Sequence, residues 1–153
     1  MTDMQRSEIV ARARALIGVR FRLQGRDPEF GLDCIGVVMM AARIPRNRVR
    51  RDYGLHSCDP EQLNAEFDWA GFVRIAPAEA EEGDVLVVRP GPTALHVVIL
   101  TGSGYLHADA RLRKVVEVPG EMPWPTVSAW RHPDDVAEDM RSPALRGPSR
   151  RLH

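Results

Sequence analysis

The first of two cysteines in this chain opens an apolar segment that is typical of a buried helix. Cys34 follows Asp33, and the run CIGVVMMAAR continues to Arg43 before Pro45 forbids further helix. A free cysteine has a pKa near ~8.5 and is mostly protonated at neutral pH, whereas the thiolate is the strong nucleophile. Because the unpaired N–H groups of a first helical turn favour an anion, this position predicts a nucleophilic thiol at Cys34.

A nucleophilic thiol needs a base, and two histidines have the spacing of neighbouring strands in a hairpin. His96 lies inside the aliphatic run ALHVVIL, and His107 follows 11 residues later in GYLHAD, after the turn TGSG. Such a hairpin can place the imidazoles side by side, where His107 would bond the second nitrogen of His96 and fix its tautomer. We therefore expect a nucleophile, a base and an orienting group. The remaining histidines lie outside these strands: His56, His132 and His153.

A structural interpretation competes with this chemical one. A lone cysteine on an apolar helix is most often a small buried hydrophobe, and a lone strand histidine is most often a packing residue. The order of one helix-starting cysteine followed by two strand histidines favours catalysis, but the residues alone leave both interpretations open.

Three helices are expected before the strands. The first spans 8–17 and ends at Gly18. The second spans 34–43 and is apolar nearly all round, so it is expected to be buried. The third begins after Asp59, a predicted N-cap, with Pro60 at its first position.

The second half of the chain changes to short β-rich runs separated by Gly and Pro. Helices followed by a meander of strands favour an α+β domain, with an antiparallel sheet packed on the cysteine helix. Gly83 and Asp84 are expected to form the turn into the first strand, without a chemical role. The predicted strands span 83–90, 94–101, 104–109, 114–118 and 126–130.

Length and charge limit the function classes. The chain has 153 residues, of which 44% are hydrophobic, enough for one core; we assign 1–132 to one domain and 133–153 to a polar, disordered tail. Lysine plus arginine equals aspartate plus glutamate at 21 each, so no global charge argues for a nucleic acid partner. The N-terminus contains no segment long enough for a signal peptide or membrane insertion, which predicts a cytoplasmic protein as synthesised.

Other patterns are weaker. The arginine-rich segment 43–51 is a solvated loop or a rim that holds carboxylates or phosphates. His56 and Cys58 have no metal-ligand spacing to support a zinc site, and both cysteines are expected to be free thiols. Three tryptophans are candidates for stacking on glycan, although aromatic residues near strands usually pack the core: Trp69, Trp124 and Trp130.

Four motifs in this order resemble the NlpC/P60 cysteine peptidases: LDCIGVV, EEGDVLVV, ALHVVIL and GYLHAD. That family has an Asp-Cys helix start with a glycine two residues after the cysteine, a Gly-Asp strand start, a strand histidine and a third polar residue downstream. The resemblance spans about residues 8–131. Within the family, the sequence is similar in particular to the phage-tail and gene-transfer-agent branch, in which a bulky aliphatic residue often follows the cysteine.

The resemblance implies a papain-like α+β fold, with the catalytic cysteine at a helix start packed on an antiparallel sheet. It also implies hydrolysis of an amide bond in peptidoglycan stem peptides, commonly between D-isoglutamate and a diamino acid, through a thioester acyl-enzyme and without a cofactor. Cys34 would be the nucleophile, His96 the base and later the acid, and His107 the orienting group. Backbone N–H groups at the helix start, including that of Cys34, would bind the oxyanion.

Substrate binding is implied at two further positions. Asp33 matches the family's acidic residue before the cysteine, which helps to bind a substrate amine; the alternative is an N-cap of the helix. Phe21 stands where the family usually has tyrosine, so the hydroxyl is missing, and Ile35 replaces a frequent serine.

The same resemblance leaves the route of delivery and two other functions open. Without an export signal, the protein would reach the cell wall through a phage-like tail and its proteins, a secretion machine, or lysis. The alternatives are an amidase or acyltransferase with the same Cys-His-His site, and a catalytically silent tail-assembly component.

Overall fold

A six-stranded antiparallel sheet forms the centre of the protein in a computed structural model, which describes residues 2–44 and 59–133. The strand order is β3-β8-β4-β5-β6-β7, and a separate two-stranded ladder joins β1 to β2. The fold is α+β, as predicted. The strands are β1 Arg26–Asp27, β2 Gly31–Leu32, β3 Val73–Ile75, β4 Val85–Gly91, β5 Ala94–Thr101, β6 Gly104–Asp109, β7 Lys114–Pro119 and β8 Thr126–Arg131.

Helix α2, Cys34–Ala42, lies buried against β5, β6 and the first helix. Every residue of α2 except Met40 is buried, as its apolar sequence predicts. The helix ends one residue before the expected boundary, because Arg43 adopts the left-handed conformation and donates its N–H to the carbonyl of Met39. The core beneath α2 is formed by aliphatic side chains of the sheet, among them Val87, Val97, Ile99, Leu106 and Val115.

The first helix is displaced from its expected limits. Helix α1 spans Thr2–Arg14 instead of 8–17. After it, Leu16 and Ile17 form tighter turns with hydrogen bonds to the third residue before them, and these turns end at Gly18, whose φ is +91°. Its early start has a tertiary cause, because the buried Arg6 pairs with Asp84 and Glu81 at the end of the sheet.

Asp84 is the centre of a buried ion-pair cluster. Its carboxylate is fully buried and accepts two hydrogen bonds from Arg131, at 3.0 and 2.8 Å, while Arg6 lies 3.5 Å away. Asp84 also accepts the N–H of Glu81, which closes the turn at Gly83. The turn expected at Gly83 and Asp84 is present, and it also fastens α1 to β8.

The third helix, α3, spans Pro60–Ala70, with Asp59 accepting the N–H of Glu61 as its N-cap. Three short strands are absent from the sequence-based expectation: β1, β2 and β3. Each has two or three residues, which is too short for a hydrophobic alternation to be visible.

The predicted tail 133–153 lies outside the described residues except for Pro133. The same holds for all of the arginine-rich segment beyond Ile44 and for His56 and Cys58.

Candidate active site

A cavity of about 630 Å³ opens where the start of α2 approaches β5 and β6. Cys34, His96 and His107, the three residues predicted to do the chemistry, all line this cavity. Phe21 and Asp33 line it as well, so the structure brings all five predicted site residues to one place.

Cys34 is the first residue of α2, and only 2% of its surface is exposed. Burial, followed by the charge of Asp33, raises the pKa of its thiol to about 12. Backbone hydrogen bonds from Val97 and Ile35 and the charge of Arg26 lower this pKa, but their effect is smaller. The N–H of the first helical turn thus lowers the pKa in the expected direction, but desolvation outweighs it in the free protein.

His96 and His107 contact one another directly. Nε2 of His96 lies 2.7 Å from Nδ1 of His107, and the rings stand nearly perpendicular at 78°. Burial, followed by the neighbouring His107, lowers the pKa of His96 to about 4, and burial also lowers the pKa of His107. Both rings are therefore neutral at pH 7, and His96 retains Nδ1 as the nitrogen that does not face His107.

The sulfur of Cys34 approaches β5 next to His96. Its hydrogen bond from the N–H of Val97 places the thiol beside the residue that follows His96 along the strand. The arrangement thus combines a protonated thiol, a neutral imidazole and a second imidazole in one cavity, which are the groups that nucleophilic catalysis by cysteine requires.

Asp33 is the N-cap of α2, and only 2% of its surface is exposed. Its Oδ1 accepts the N–H of Gly36 at 2.8 Å and a guanidinium N–H of Arg26 at 2.7 Å. Its Oδ2 accepts the N–H of Gln24 at 3.0 Å. The capping role is thus present, and three internal donors already bind the carboxylate.

Phe21 is half-buried and borders the cavity, where its ring packs on the main core. Ile35 is 7% exposed and belongs to the core under α2, away from the cavity lining. The substitution at position 35 therefore changes core packing, whereas Phe21 presents an apolar ring to the cavity.

Sequence reasoning missed Asp109 as a residue of the cavity, and it did not place Trp124 beside the two histidines. Asp109 Oδ2 lies 3.9 Å from Nε2 of His107, and the ring of Trp124 packs edge-on against His96 and His107 at centroid distances of 5.9 and 5.8 Å. Asp109 could have been predicted from its spacing, because it lies two residues after His107 on the same strand and so projects from the same face of the sheet. Trp124 lies in a loop between two prolines, where no periodicity marks its direction.

Other residues named in the sequence analysis lie outside the cavity. Trp130 is buried and stacks on Phe67, whereas Trp69 is 58% exposed on α3. His132 donates a hydrogen bond to the carbonyl of Ala42. Within residues 2–44 and 59–133, no group of three potential ligand side chains is arranged to hold a metal ion. No described helix has the length and apolarity that a membrane crossing requires.

Comparison with solved structures gives the fold a name. The chain is similar to the NlpC/p60 domain of the peptidoglycan hydrolase SagA, at 24% identity and a TM-score of 0.57, over 82% of this chain and 97% of that one. It is also similar to the peptidoglycan hydrolase RipB from Mycobacterium tuberculosis, at 25% identity and a TM-score of 0.56, over 85% of this chain and 65% of RipB. The fold is therefore the papain-like fold of NlpC/P60 domains.

One similar structure is described as catalytically silent. RipD from Mycobacterium tuberculosis, a non-catalytic NlpC/p60 domain protein with an adaptation to peptidoglycan binding, matches at 18% identity and a TM-score of 0.54, over 83% of this chain and 96% of RipD. No family model and no curated protein matches the sequence.

Proposed function

We propose that this chain, which has the fold of NlpC/P60 domains, is a cysteine peptidase that hydrolyses amide bonds in peptidoglycan stem peptides. The bond proposed is the one between D-isoglutamate and a diamino acid. The observation that carries the proposal is the convergence of Cys34, His96 and His107 on one cavity of this fold.

The proposed reaction begins when the carbonyl carbon of the substrate approaches the sulfur of Cys34. The sulfur attacks this carbon while the thiol proton passes to Nδ1 of His96, and backbone N–H groups at the start of α2 bind the oxyanion. The C–N bond then breaks, the leaving amine takes the proton from His96, and a thioester remains on Cys34. A water molecule then attacks the thioester while it gives a proton to His96, the C–S bond breaks, and His96 returns the proton to the sulfur as the acid is released.

The protonation states at rest mean that the proton has to move during the attack and not before it. A thiol with a pKa of about 12 and an imidazole with a pKa of about 4 are both neutral at pH 7, so no thiolate–imidazolium pair is stored in the free protein. His96 is then a base that is ready to accept a proton. Protonated His96 keeps an N–H at Nε2 that can donate to Nδ1 of His107 across their 2.7 Å contact.

Substrate binding is proposed at Phe21 and Asp33. Phe21 offers an apolar ring to the stem peptide beside the cavity. Asp33 contributes through its hold on the start of α2, and its Oδ2, which accepts one internal hydrogen bond, offers a further acceptor position to a substrate amine.

Mass spectrometry of purified muropeptides tests this function. Wild-type protein should release peptides with a new amine terminus at the isoglutamyl bond, and Cys34→Ala should release none. Cys58→Ala is the matched control, because it removes the other thiol of the chain and should cleave like the wild type. Transfer of the acyl group to an added amine or alcohol without hydrolysis would identify an acyltransferase instead.

The second candidate is a peptidoglycan-binding protein without catalysis. It is favoured by the strongly raised pKa of Cys34 and by the likeness to the non-catalytic RipD. Co-sedimentation with peptidoglycan, with wild-type and Cys34→Ala bound equally and no product formed, would support it against the peptidase.

We propose delivery to the cell wall as a component of a phage-like tail, with a secretion machine or lysis as the alternatives. The bulky Ile35 after the cysteine supports this branch. Co-purification with tail proteins from the native host tests it, and their absence from purified particles would contradict it.

A further inference from the structure

A carboxylate stands at the end of the row of side chains that begins at His96. Nε2 of His96 lies 2.7 Å from Nδ1 of His107, and the other nitrogen of His107 lies 3.9 Å from Oδ2 of Asp109. The second distance is longer than a direct hydrogen bond and within the range of a charge interaction. Hydrogen bonds of catalytic sites are often long in the absence of substrate and shorten when it binds.

The carboxylate of Asp109 is held in this orientation by the backbone. Its Oδ1 accepts the N–H of Arg111 at 2.8 Å and the N–H of Leu112 at 3.1 Å, in the turn between β6 and β7. Both bonds use the same oxygen, so Oδ2 is the atom that faces His107. Asp109 also lines the cavity that contains Cys34 and His96.

The tautomers of the two neutral imidazoles are linked. In a contact between two ring nitrogens, one must carry a proton and the other a lone pair. If Nε2 of His107 is protonated and faces the carboxylate, its Nδ1 must accept, so Nε2 of His96 is the donor. The lone pair of His96 is then on Nδ1, where the thiol proton of Cys34 has to arrive. The opposite arrangement puts a proton on Nδ1 of His96 and blocks it as a base.

Among the groups that contact His107, Asp109 is the one that can set its tautomer at Nε2. Tyr105 and Trp124 contact the ring through their aromatic faces and edges, and His96 contacts its Nδ1. The thiol of Cys34, on α2, is neutral at pH 7, and the cation Arg111 lines the same cavity. Asp109 is the charged group that acts on His107 and favours its positive form against burial.

We propose that Asp109 is a positioning residue that fixes the Nε2–H tautomer of His107 and, through it, the tautomer of His96 that can accept the proton of Cys34. The inference rests on the proposed function, in which His96 is the base. Asp109 thereby extends the predicted Cys-His-His arrangement to four side chains.

The substitution Asp109→Asn isolates this role from the turn. The amide oxygen can still accept the N–H groups of Arg111 and Leu112, which turns the amide NH₂ toward His107. A donor at this place favours a lone pair on Nε2 of His107, and both rings should change to their Nδ1–H tautomers. Asp59→Asn is the matched control, because Asp59 also accepts an N–H two residues ahead but lies at α3.

Nitrogen-15 NMR of the imidazoles in the full chain reads the tautomers directly. We expect Nε2–H for His96 and His107 in the wild type and in Asp59→Asn, and Nδ1–H for both in Asp109→Asn. Hydrolysis of muropeptides by Asp109→Asn should fall by about a hundredfold, as expected for loss of a general base. Wild-type rings in the Nδ1–H form, or tautomers that Asp109→Asn leaves unchanged, would overturn the inference.

The two readouts separate this inference from the proposed function. If wild-type protein cleaves no muropeptide but its tautomers depend on Asp109 as expected, the assignment of Asp109 stands and the peptidase proposal fails. If wild-type protein cleaves muropeptides and Asp109→Asn cleaves them equally well, the assignment fails and the peptidase proposal stands.

Discussion

At the level of single residues, burial decides the charge of the thiol at Cys34. The first turn of α2 offers N–H groups to the sulfur, but the side chain is desolvated and sits beside the carboxylate of Asp33. A helix start is thus not sufficient to produce a thiolate. The free protein should therefore protect Cys34 from oxidants and alkylating reagents until substrate enters the cavity.

Alkylation kinetics test the charge state of Cys34. With the pKa raised to about 12, the thiolate fraction at pH 7 is far below that of an ordinary cysteine and rises tenfold with each pH unit up to that value. Site-resolved mass spectrometry should show iodoacetamide modifying Cys34 much more slowly than a cysteine in an unstructured peptide. Fast modification that is independent of pH near neutrality would instead reveal a thiolate–imidazolium pair.

Substitution of Asp33 separates capping from recognition of a substrate amine. Asparagine is a good N-cap, so Asp33→Asn should leave the helix start in place while removing the charge that attracts an amine. If three internal donors occupy this carboxylate in the complex as well, KM for stem peptides with a free and an acetylated N-terminus should change equally. A KM increase confined to the free-amine peptide would show that the substrate amine binds this carboxylate.

Residue types and order, together with the resemblance to NlpC/P60 peptidases, predicted which residues converge on the cavity. The spacing assigns the cysteine to a helix start, and it pairs the two histidines, 11 residues apart, across a hairpin. The pKa of Cys34 and the contact of Trp124 with both imidazoles were not predictable, because each depends on the packing of segments that are distant in sequence. The partners Arg26 and Gln24 of Asp33 are close in sequence, but the short turns that bring them to the carboxylate have no hydrophobic periodicity to reveal them.

At the level of elements, the loop before α2 and the first turn of α2 touch without space for a side chain. A Cβ atom added to Gly36 would collide with the carbonyl oxygen of Gly25, in the segment that supplies Phe21, Arg26 and Asp33 to the site. The glycine after Cys34 and Ile35 therefore sets how closely this loop approaches the thiol.

Gly36→Ala should destabilise the protein by about 1–3 kcal/mol, the usual effect of overpacking a buried contact, and should reduce muropeptide cleavage. Urea unfolding measures the first effect. Gly91→Ala is the matched control, because no atom lies within 4 Å of an added Cβ there. Equal stability of the two variants would contradict the proposed close contact.

The longer elements were predictable and the short ones were not. Expected and observed limits agree for β5 and β6 and differ by one residue at one end for α2, β7 and β8. Hydrophobic periodicity over six or more residues identifies such elements. Strands of two or three residues, such as β3, form only because a partner is present, and α1 extends early because Arg6 reaches the cluster at Asp84.

At the level of the whole molecule, the buried ion-pair cluster at Asp84 joins the N-terminal helix to the end of the sheet. Asp84 holds Arg131 of β8 and lies near Arg6 of α1. Removing one member of a buried ion pair leaves the other charge without compensation, and this typically costs about 3–5 kcal/mol.

Asp84→Asn should therefore lower the free energy of unfolding by several times more than Glu117→Gln. The second variant breaks the more exposed pair with Arg14, and such pairs contribute about 0–1 kcal/mol. Denaturant unfolding of both variants measures the difference. Equal effects would show that the cluster at Asp84 does not anchor α1.

Detection of an acyl-enzyme tests the central claim, nucleophilic catalysis by Cys34 with His96 as base, most directly. Muropeptides are mixed with the full chain, and the reaction is quenched in acid within milliseconds to seconds. Mass spectrometry then measures the mass of the intact protein and identifies the modified residue. The account predicts an added mass equal to the acyl part of the stem peptide, attached to Cys34 in the wild type and absent from His96→Ala and Cys34→Ala. Products formed without any adduct on Cys34, or formed equally by Cys34→Ala, would contradict it.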